Sequence, residues 1–390
     1  MTETPFAASN GPHLLAGVRV LDMSGPNAQL AGRLVAELGA QVIRLEQPSG
    51  DTTRHSGPIA IGATGPDASL AFAALNSGKL SVVVDPDRED IHPILVALVE
   101  SVDVVLASEP SIWAGLIPAA DVVAQGRSVV HVQGFGSVGP YAGYQAPEIV
   151  TTALGGLLYI SGDARLAPCA PPEPLGQYFA SVWASLALVS AVWAARTSDI
   201  TAVYRISTQE ALATQEHLVR AAAMDGEPIV RNGSQHKSVA PANVFPTRDG
   251  WVYIYVSRNH WNAFLGAWSP HPASYDDRRW LPNAARRADA DALNAAVAAW
   301  TRGFDSAELV TVLQGAGVPC LPVNRPSDFQ RDPQVVAREL FAEASHPVLG
   351  TFQQIRFPAM IDGERPPTTR PPTLGEHTDA VLASLSGAER

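Results

Sequence analysis

The sequence predicts an α/β protein with a parallel sheet, and repeated strand–helix–strand patterns are the main reason. Strand-like residues 17–23 are followed by helically spaced apolar residues over 28–38 and by a second strand at 41–46. Three further buried-strand patterns follow, at 80–85, 103–107 and 128–132. Such units with short connections are typical of a parallel sheet covered by helices.

The chain length predicts more than one domain. With 390 residues the chain is too long for one simple core. We expect a large domain formed by residues 1–213 and 330–390, and a smaller α+β domain at 225–325. Residues 214–224 and 326–329 would be the linkers.

Composition and charge exclude several classes of protein. Hydrophobic residues make up 46% of the chain and the net charge is -11, which argues against disorder and against a general nucleic-acid-binding surface. Cys169 and Cys320 are too far apart for a metal-binding pair, so we expect no metal. The first residues lack a basic segment followed by an apolar run, which leads us to expect a soluble cytoplasmic protein.

Residues 174–196 form an unusually apolar predicted helix. No charged residue occurs from Tyr178 to Ala195. A helix that is apolar on every side is either buried or membrane-spanning. Its many Ala and Ser residues, and the lack of a second such segment, favour a central buried helix. Gln177 lies where the first turn would present unpaired N–H groups.

A glycine-rich loop follows the strand at 128–132. It contains Gly134 and Gly136, and ligands of open α/β sheets bind beyond the carboxyl ends of the strands. A dinucleotide site is an alternative, because Glu46 ends the second strand where a ribose-binding acid would lie. However, residues 24–29 lack the G-x-G-x-x-G spacing.

Three polar residues have both a structural and a functional interpretation. Lys79 is either a solvated loop residue or a phosphate contact. Glu148 either complements a helix dipole or belongs to a site. Gln177 is most simply a hydrogen-bonding residue, because an amide cannot act as a nucleophile or general base at pH 7.

Seven segments along the chain resemble the class III CoA-transferases, the family that includes formyl-CoA transferase, carnitine CoA-transferase and α-methylacyl-CoA racemase. The segments occur in the same order as in that family. They are LAGVRVLD at 15–22, ELGAQVIRLE at 37–46, SGD at 49–51, LNSGKLS at 75–81, the glycine-rich loop at 134–140, a strand–turn–strand pattern at 245–256, and residues 371–379.

The resemblance implies a Rossmann-like large domain built from both chain ends, a smaller domain and an interlocked dimer. It also implies coenzyme A or an acyl-CoA as substrate, and an aspartate nucleophile at the start of the central helix. The residues it assigns to coenzyme A are Asn27, Ala28, Arg44, Arg54, Lys79, Gly134 and Gly136.

Departures from the family pattern concern the chemistry. The family's Gly–Asp at the central helix is Gly176–Gln177 here, so the nucleophile is replaced. Pro147 stands where the racemase branch has a histidine, while the family's glutamate corresponds to Glu148. The usual E-N-F-x-P-G segment reads Ala107–Ile112, with Glu109 at its centre.

Three functions stay open from the sequence. The preferred one is the nucleophile-less subunit of a heteromeric CoA-transferase, whose partner is a homologous subunit that carries the aspartate. The others are an active homodimer with its chemistry relocated to Glu148, and a non-catalytic homodimer that binds acyl-CoA. None of the three requires a nucleic acid or a membrane.

Overall fold

The computed structural model describes residues 13–172, 174–215 and 229–386. They divide into two compact units. The first unit comprises Met1–Leu158, Ala170–Glu227 and Gln334–Arg390, and the second comprises Tyr159–Cys169 and Pro228–Pro333, as far as these ranges are described. Most of the linker predicted at 214–224 lies outside the described residues.

A six-stranded parallel sheet forms the centre of the first unit, which confirms the predicted fold class. Its strands are β1 (Arg19–Met23), β2 (Gln41–Glu46), β3 (Leu80–Val83), β4 (Val104–Ser108), β5 (Ser128–Gln133) and β6 (Val203–Ser207). The spatial order is β3-β2-β1-β4-β5-β6, and every neighbouring pair is parallel. The chain therefore reverses its direction of progress between β1 and β4, and ligands of such sheets bind at this point.

Helices cover both faces of this sheet. The helices of this part of the chain are α1 (Gln29–Glu37), α2 (Leu70–Asn76), α3 (Ile91–Glu100), α4 (Ile112–Leu116), α5 (Ala119–Ala124), α6 (Glu148–Leu154), α7 (Leu157–Ile160, at the boundary between the two units), α8 (Leu175–Ser198) and α9 (Thr208–Ala213). Successive strand residues point to opposite faces, so Val20 packs into one core and Leu21 into the other. Because helices cover both faces, apolar side chains of the strands are buried on both sides of the sheet.

Helix α8 is the predicted central helix, but the single chain buries only one side of it. Ala180, Ala184 and Leu188 pack against α1 and the sheet. Trp193 on the other side is 70% exposed. Within the described residues α8 is the one helix long and apolar enough to cross a membrane, and 33% of its most apolar window is buried. The expectation that α8 is buried on every side is therefore wrong for the isolated chain, because apolar periodicity does not reveal which face packs inward.

The C-terminal part of the chain returns to the first unit. The last elements of the chain are α15 (Pro333–Ala337), the antiparallel pair β10 (Phe341–His346) and β11 (Gly350–Ile355), and α16 (Thr378–Ser386). The Gly375 N–H donates to Ser81 Oγ at 2.8 Å, and the Val83 N–H donates to Thr378 Oγ1 at 2.9 Å. Both chain ends thus contribute to the unit that holds the sheet.

The second unit is a smaller α+β structure. Its antiparallel sheet has β7 (Ala242–Pro246), β8 (Trp251–Tyr255) and β9 (Cys320–Pro322), and its helices are α10 (Trp261–Ala267), α11 (Asn283–Ala288), α12 (Ala290–Thr301), α13 (Ser306–Gly315) and α14 (Pro326–Phe329). The β7–β8 pairing is the strand–turn–strand predicted from the sequence. Trp261, Phe264 and Trp268 lie in its core.

Residues 159–169 belong to the second unit, although we expected them in the large domain. Arg231 donates hydrogen bonds to the carbonyl oxygens of Tyr159, Asp163 and Leu166 at 2.9 to 3.1 Å. The Gly233 N–H donates to the Gly162 carbonyl at 2.9 Å. These backbone contacts carry no sequence periodicity, so the pattern of residue types could not assign the segment.

Candidate active site

A cleft of about 610 Å³ opens in the first unit beyond the carboxyl ends of β4 and β5. Its walls come from the turn after β1, the turn after β4, the glycine-rich loop after β5 and the start of α8. Among the lining residues are Asn27, Glu109, Gln133, Glu148 and Gln177. The cleft therefore lies where the strand order predicts a ligand site.

Glu148 is held against the first turn of α8. Its Oε1 accepts a hydrogen bond from the Gly176 N–H at 2.8 Å and another from Thr152 Oγ1 at 2.6 Å. A Cβ added to Gly176 would lie only 3.0 Å from this oxygen, so a larger residue at 176 would crowd the contact. The carboxylate thus satisfies an N–H group at the positive end of the α8 dipole.

Gln177 follows directly and lines the cleft with its half-buried side chain. Its N–H donates to the Pro174 carbonyl at 3.0 Å. The start of α8 therefore presents an amide to the cleft, next to a carboxylate that is already hydrogen bonded. An amide offers hydrogen bonds but cannot form an acyl anhydride.

The glycine-rich loop folds tightly enough to form a wall of the cleft. A Cβ on Gly134 would lie 2.0 Å from the Cβ of Ala146, so only glycine permits this approach. Gly136 has a φ of 83°, in the left-handed region. Phe135 and Tyr144 also line the cleft. Gly134 and Gly136 therefore both shape the loop through their backbone.

Asn27 and Ala28 differ in their placement. Asn27 lines the cleft, and its Nδ2 donates to the Glu109 carbonyl at 3.1 Å. Ala28 is fully buried in the core between the sheet, α1 and α8. Only Asn27 is thus in a position to meet a ligand through its side chain.

Lys79 and Arg54, which we expected to contact phosphates, face inward. Lys79 Nζ donates to Asp22 Oδ2 at 2.7 Å, to the Gln29 carbonyl at 2.7 Å and to Asn76 Oδ1 at 2.8 Å. Arg54 donates twice to Glu46, at 2.6 and 2.8 Å. Their side chains are 0% exposed, so direct phosphate contacts do not agree with this placement. Burial lowers the pKa of Lys79 to about 8, although Asp22 acts in the opposite direction.

Arg44 is also buried but borders a second pocket. Its guanidinium pairs with Asp22 at 2.9 Å and with Asp51 at 2.5 Å. The pocket, of about 430 Å³, lies between the turn after β1 and the turn after β4. Of Arg44, Arg54 and Lys79, therefore, only Arg44 lines one of these two clefts.

Two polar residues that line the cleft, Glu109 and Gln133, and the neighbouring His131 were not predicted as site residues. The Glu109 side chain is 52% exposed, and its Oε1 accepts a hydrogen bond from Gln133 Nε2 at 2.9 Å. His131 Nε2 lies 3.8 Å from the same oxygen. Burial lowers the pKa of His131. The position of Glu109 directly after β4 was the signal that could have identified it, because ligands bind beyond strand ends.

Within the described residues, no group of three or more His, Cys, Asp or Glu side chains could hold a metal ion. Cys169 is exposed and Cys320 is buried, and both are free thiols.

Comparison with known proteins gives a consistent family. The sequence model of CoA-transferase family III matches residues 15–378. The succinate–glutarate CoA-transferase of Agrobacterium fabrum is 29% identical, over 100% of this chain and 99% of that protein. A subunit of the succinyl-CoA:(R)-benzylsuccinate CoA-transferase of Thauera aromatica is 25% identical, over 93% of this chain and 92% of that protein. The crystal structure of a CAIB/BAIF family protein from Brucella suis has the same fold, with a TM-score of 0.85, 24% identity, and coverage of 96% of this chain and 100% of that one.

Proposed function

This chain belongs to CoA-transferase family III, and we propose that it is the nucleophile-less subunit of a heteromeric CoA-transferase. The enzyme would transfer coenzyme A from an acyl-CoA to a carboxylic acid. The observation that carries the proposal is Gln177, an amide in the first turn of α8 at the cleft. The family resemblance implies an aspartate at this position.

The expected chemistry is covalent catalysis by a carboxylate. The aspartate attacks the thioester carbonyl, the carbon–sulfur bond breaks, and coenzyme A leaves as the thiolate. The thiolate then attacks the aspartyl carbonyl of the mixed anhydride and releases the donor acid. The acceptor carboxylate repeats these two steps in reverse and leaves as the new thioester. Gln177 cannot take this role, so the partner subunit would supply the aspartate.

Glu148 is a poor substitute for that aspartate. Its Oε1 already accepts hydrogen bonds from the Gly176 N–H and the Thr152 hydroxyl. These bonds occupy the lone pairs with which this oxygen would act as a nucleophile or base. The geometry supports a positioning role, in which Glu148 fixes the start of α8 beside the cleft. This argues against the homodimer with relocated chemistry at Glu148.

The exposed side of α8 supports an association with a second subunit. Val182, Leu186 and Trp193 are 55%, 55% and 70% exposed. Large apolar residues along one helix face are typical of a surface covered by a partner. A relative of 25% identity is itself named as a subunit, which agrees with the proposed heteromer. The cytoplasmic location expected from the sequence is part of the proposal.

Co-expression tests this function. The chain would be produced alone, and together with a homologous subunit from the same genome that carries aspartate at the position of Gln177. We expect CoA exchange between acyl-CoA and acid only in the mixture, and loss of exchange when the partner's aspartate is changed to asparagine. Exchange by this chain alone at ordinary enzyme rates contradicts the proposal. A complex that binds acyl-CoA without any exchange supports the non-catalytic alternative.

A further inference from the structure

The cleft beyond β4 and β5 has an unbalanced charge. Among its lining residues are two carboxylates, Glu109 and Glu148. None of the described residues that line it is an arginine, lysine or histidine. The nearby Arg44 is already paired with Asp22 and Asp51. A ligand therefore meets negative charge without a compensating cation from these walls.

Two amides beside Glu109 have fixed orientations. Gln133 must direct its Nε2 towards the Glu109 carboxylate, to which it donates at 2.9 Å. Asn27 must direct its Nδ2 towards the Glu109 carbonyl, to which it donates at 3.1 Å. A rotation of either amide would place two acceptors against each other. The remaining oxygens, Gln133 Oε1 and Asn27 Oδ1, therefore point away from Glu109.

Both of these oxygens are buried and lack a hydrogen-bond partner. Gln133 is only 5% exposed, so its unpaired acceptor carries a substantial desolvation cost. The Glu109 carboxylate accepts one hydrogen bond on Oε1, from Gln133 Nε2. The wall formed by Asn27, Glu109 and Gln133, here called the acceptor wall, has more acceptors than donors.

His131 does not neutralise this wall. Its Nε2 lies 3.8 Å from Glu109 Oε1, beyond hydrogen-bond distance. Burial is the largest influence on the pKa of His131 and lowers it, Glu109 raises it, and Arg205 lowers it, with a net decrease. A lowered pKa favours the neutral imidazole at pH 7, so His131 does not offset the carboxylate of Glu109.

We infer that the acceptor wall makes this cleft select acyl groups that carry a hydrogen-bond donor, as an ammonium or hydroxyl group, and no second carboxylate. This inference rests on the proposed function, because it names the class of acyl-CoA that the protein binds. A donor on the acyl chain would pair with the exposed Glu109 carboxylate, and the partial negative charge of the two unpaired amide oxygens beside it would favour the same group. A carboxylate there would meet a like charge and two further acceptors.

The inferred selectivity differs from the substrates in the names of the relatives. Those names include succinate, glutarate, mesaconate and oxalate, which are dicarboxylic acids. A dicarboxylic acyl group keeps one free carboxylate after it forms the thioester. The two carboxylates at this cleft, and the absence of cations among its described lining residues, oppose such a group.

Three unreactive CoA thioethers of matched length test this selectivity. They are S-butyl-CoA, S-(3-aminopropyl)-CoA and S-(3-carboxypropyl)-CoA, whose chains end in a methyl, an ammonium and a carboxylate group. Isothermal titration of the full chain at pH 7 would give their dissociation constants. We expect the aminopropyl compound to bind most tightly, and the carboxypropyl compound to bind about tenfold or more weakly than S-butyl-CoA. Equal or tighter binding of the carboxypropyl compound overturns the inference.

The variant Glu109→Gln assigns the effect to the acceptor wall. It should bring the affinity of S-(3-carboxypropyl)-CoA to within about threefold of that of S-butyl-CoA. Glu89→Gln removes an exposed carboxylate outside the cleft and should leave the ratio unchanged. An unchanged ratio in a folded Glu109→Gln variant contradicts the inference, and the comparison of the three compounds on the natural chain does not depend on that variant.

The outcomes separate the inference from the proposed function. If all three thioethers bind equally, the selectivity is wrong while coenzyme A binding stands. If none of them binds to the chain or to its complex with the homologous subunit, acyl-CoA is not its ligand, and both proposals fail.

Discussion

Two groups of polar residues lie near the strand ends of the first unit, and they differ in how completely they are paired. In the buried group beside β1 and β2, Lys79 donates all three of its N–H groups to partners, and Arg44 pairs with two carboxylates. At the cleft, Glu109 lacks a cationic partner and Gln133 has an unpaired acceptor. Paired buried charges hold the fold together locally, whereas an exposed carboxylate without a cationic partner, such as Glu109, is available to a ligand.

Loss of Lys79 should have the largest effect on stability. Lys79→Met leaves Asp22 buried with one of its two cations, so we expect the free energy of unfolding to fall by about 3 kcal/mol. Lys237→Met, a change at the only other lysine of the chain, should alter it by less than about 0.5 kcal/mol. Urea denaturation followed by circular dichroism measures both. Equal stability of the two variants would show that the buried network is not structural.

The pH dependence of stability should depend on the same residue. The pKa of Lys79 is about 8 in the folded chain, below its ordinary value of 10.5. Between these values the unfolded chain binds more protons, so the contribution of Lys79 makes stability rise with pH from about 8 to 10.5. Across this range the natural chain should gain up to about 3 kcal/mol relative to Lys79→Met. A difference between the two proteins that stays constant or falls with pH contradicts this assignment.

A smaller effect is expected where Glu148 meets α8. In Gly176→Ala the new Cβ would crowd Glu148 Oε1 at 3.0 Å, and we expect a loss of about 1–2 kcal/mol in stability. Gly266→Ala is the matched control, because no atom lies within 4 Å of its added Cβ in helix α10. That change should be neutral or stabilising by up to about 1 kcal/mol. Thermal denaturation of both variants distinguishes the tight contact from a general effect of replacing glycine.

The parts of the fold with strong periodicity could be predicted from the sequence. Residues Gln41–Glu46 form a strand with the predicted bounds, because Val42 packs into the core on one face of the sheet and Ile43 and Leu45 into the core on the other. Strand Phe341–His346 was missed, because it belongs to a two-stranded sheet and is only partly buried. The helix at 175–198 was found, but its exposed face depends on tertiary packing that periodicity does not encode.

The site was only partly predictable because its contacts join distant positions. Gln133 meets Glu109 across 24 residues, and this depends on the register that pairs Ser108 with Val132. Lys79 turns inward because it pairs with Asp22 of strand β1, which lies 57 residues earlier in the chain. A sequence read without pairing partners identifies a lysine or a glutamate, but not whether its charge is already matched. Gln177 was identified because the family resemblance assigns a role to that position.

Covalent trapping tests the central claim, that this chain carries no nucleophile, most directly. The purified chain would be incubated with an acyl-CoA and analysed by intact mass spectrometry, with fragmentation to locate any covalent coenzyme A or acyl adduct. Gln177→Asp, which restores the carboxylate, serves as the positive control and should give an adduct at residue 177. The account predicts no adduct on the natural chain. An adduct on the natural chain, at Glu109 or Glu148, would contradict it.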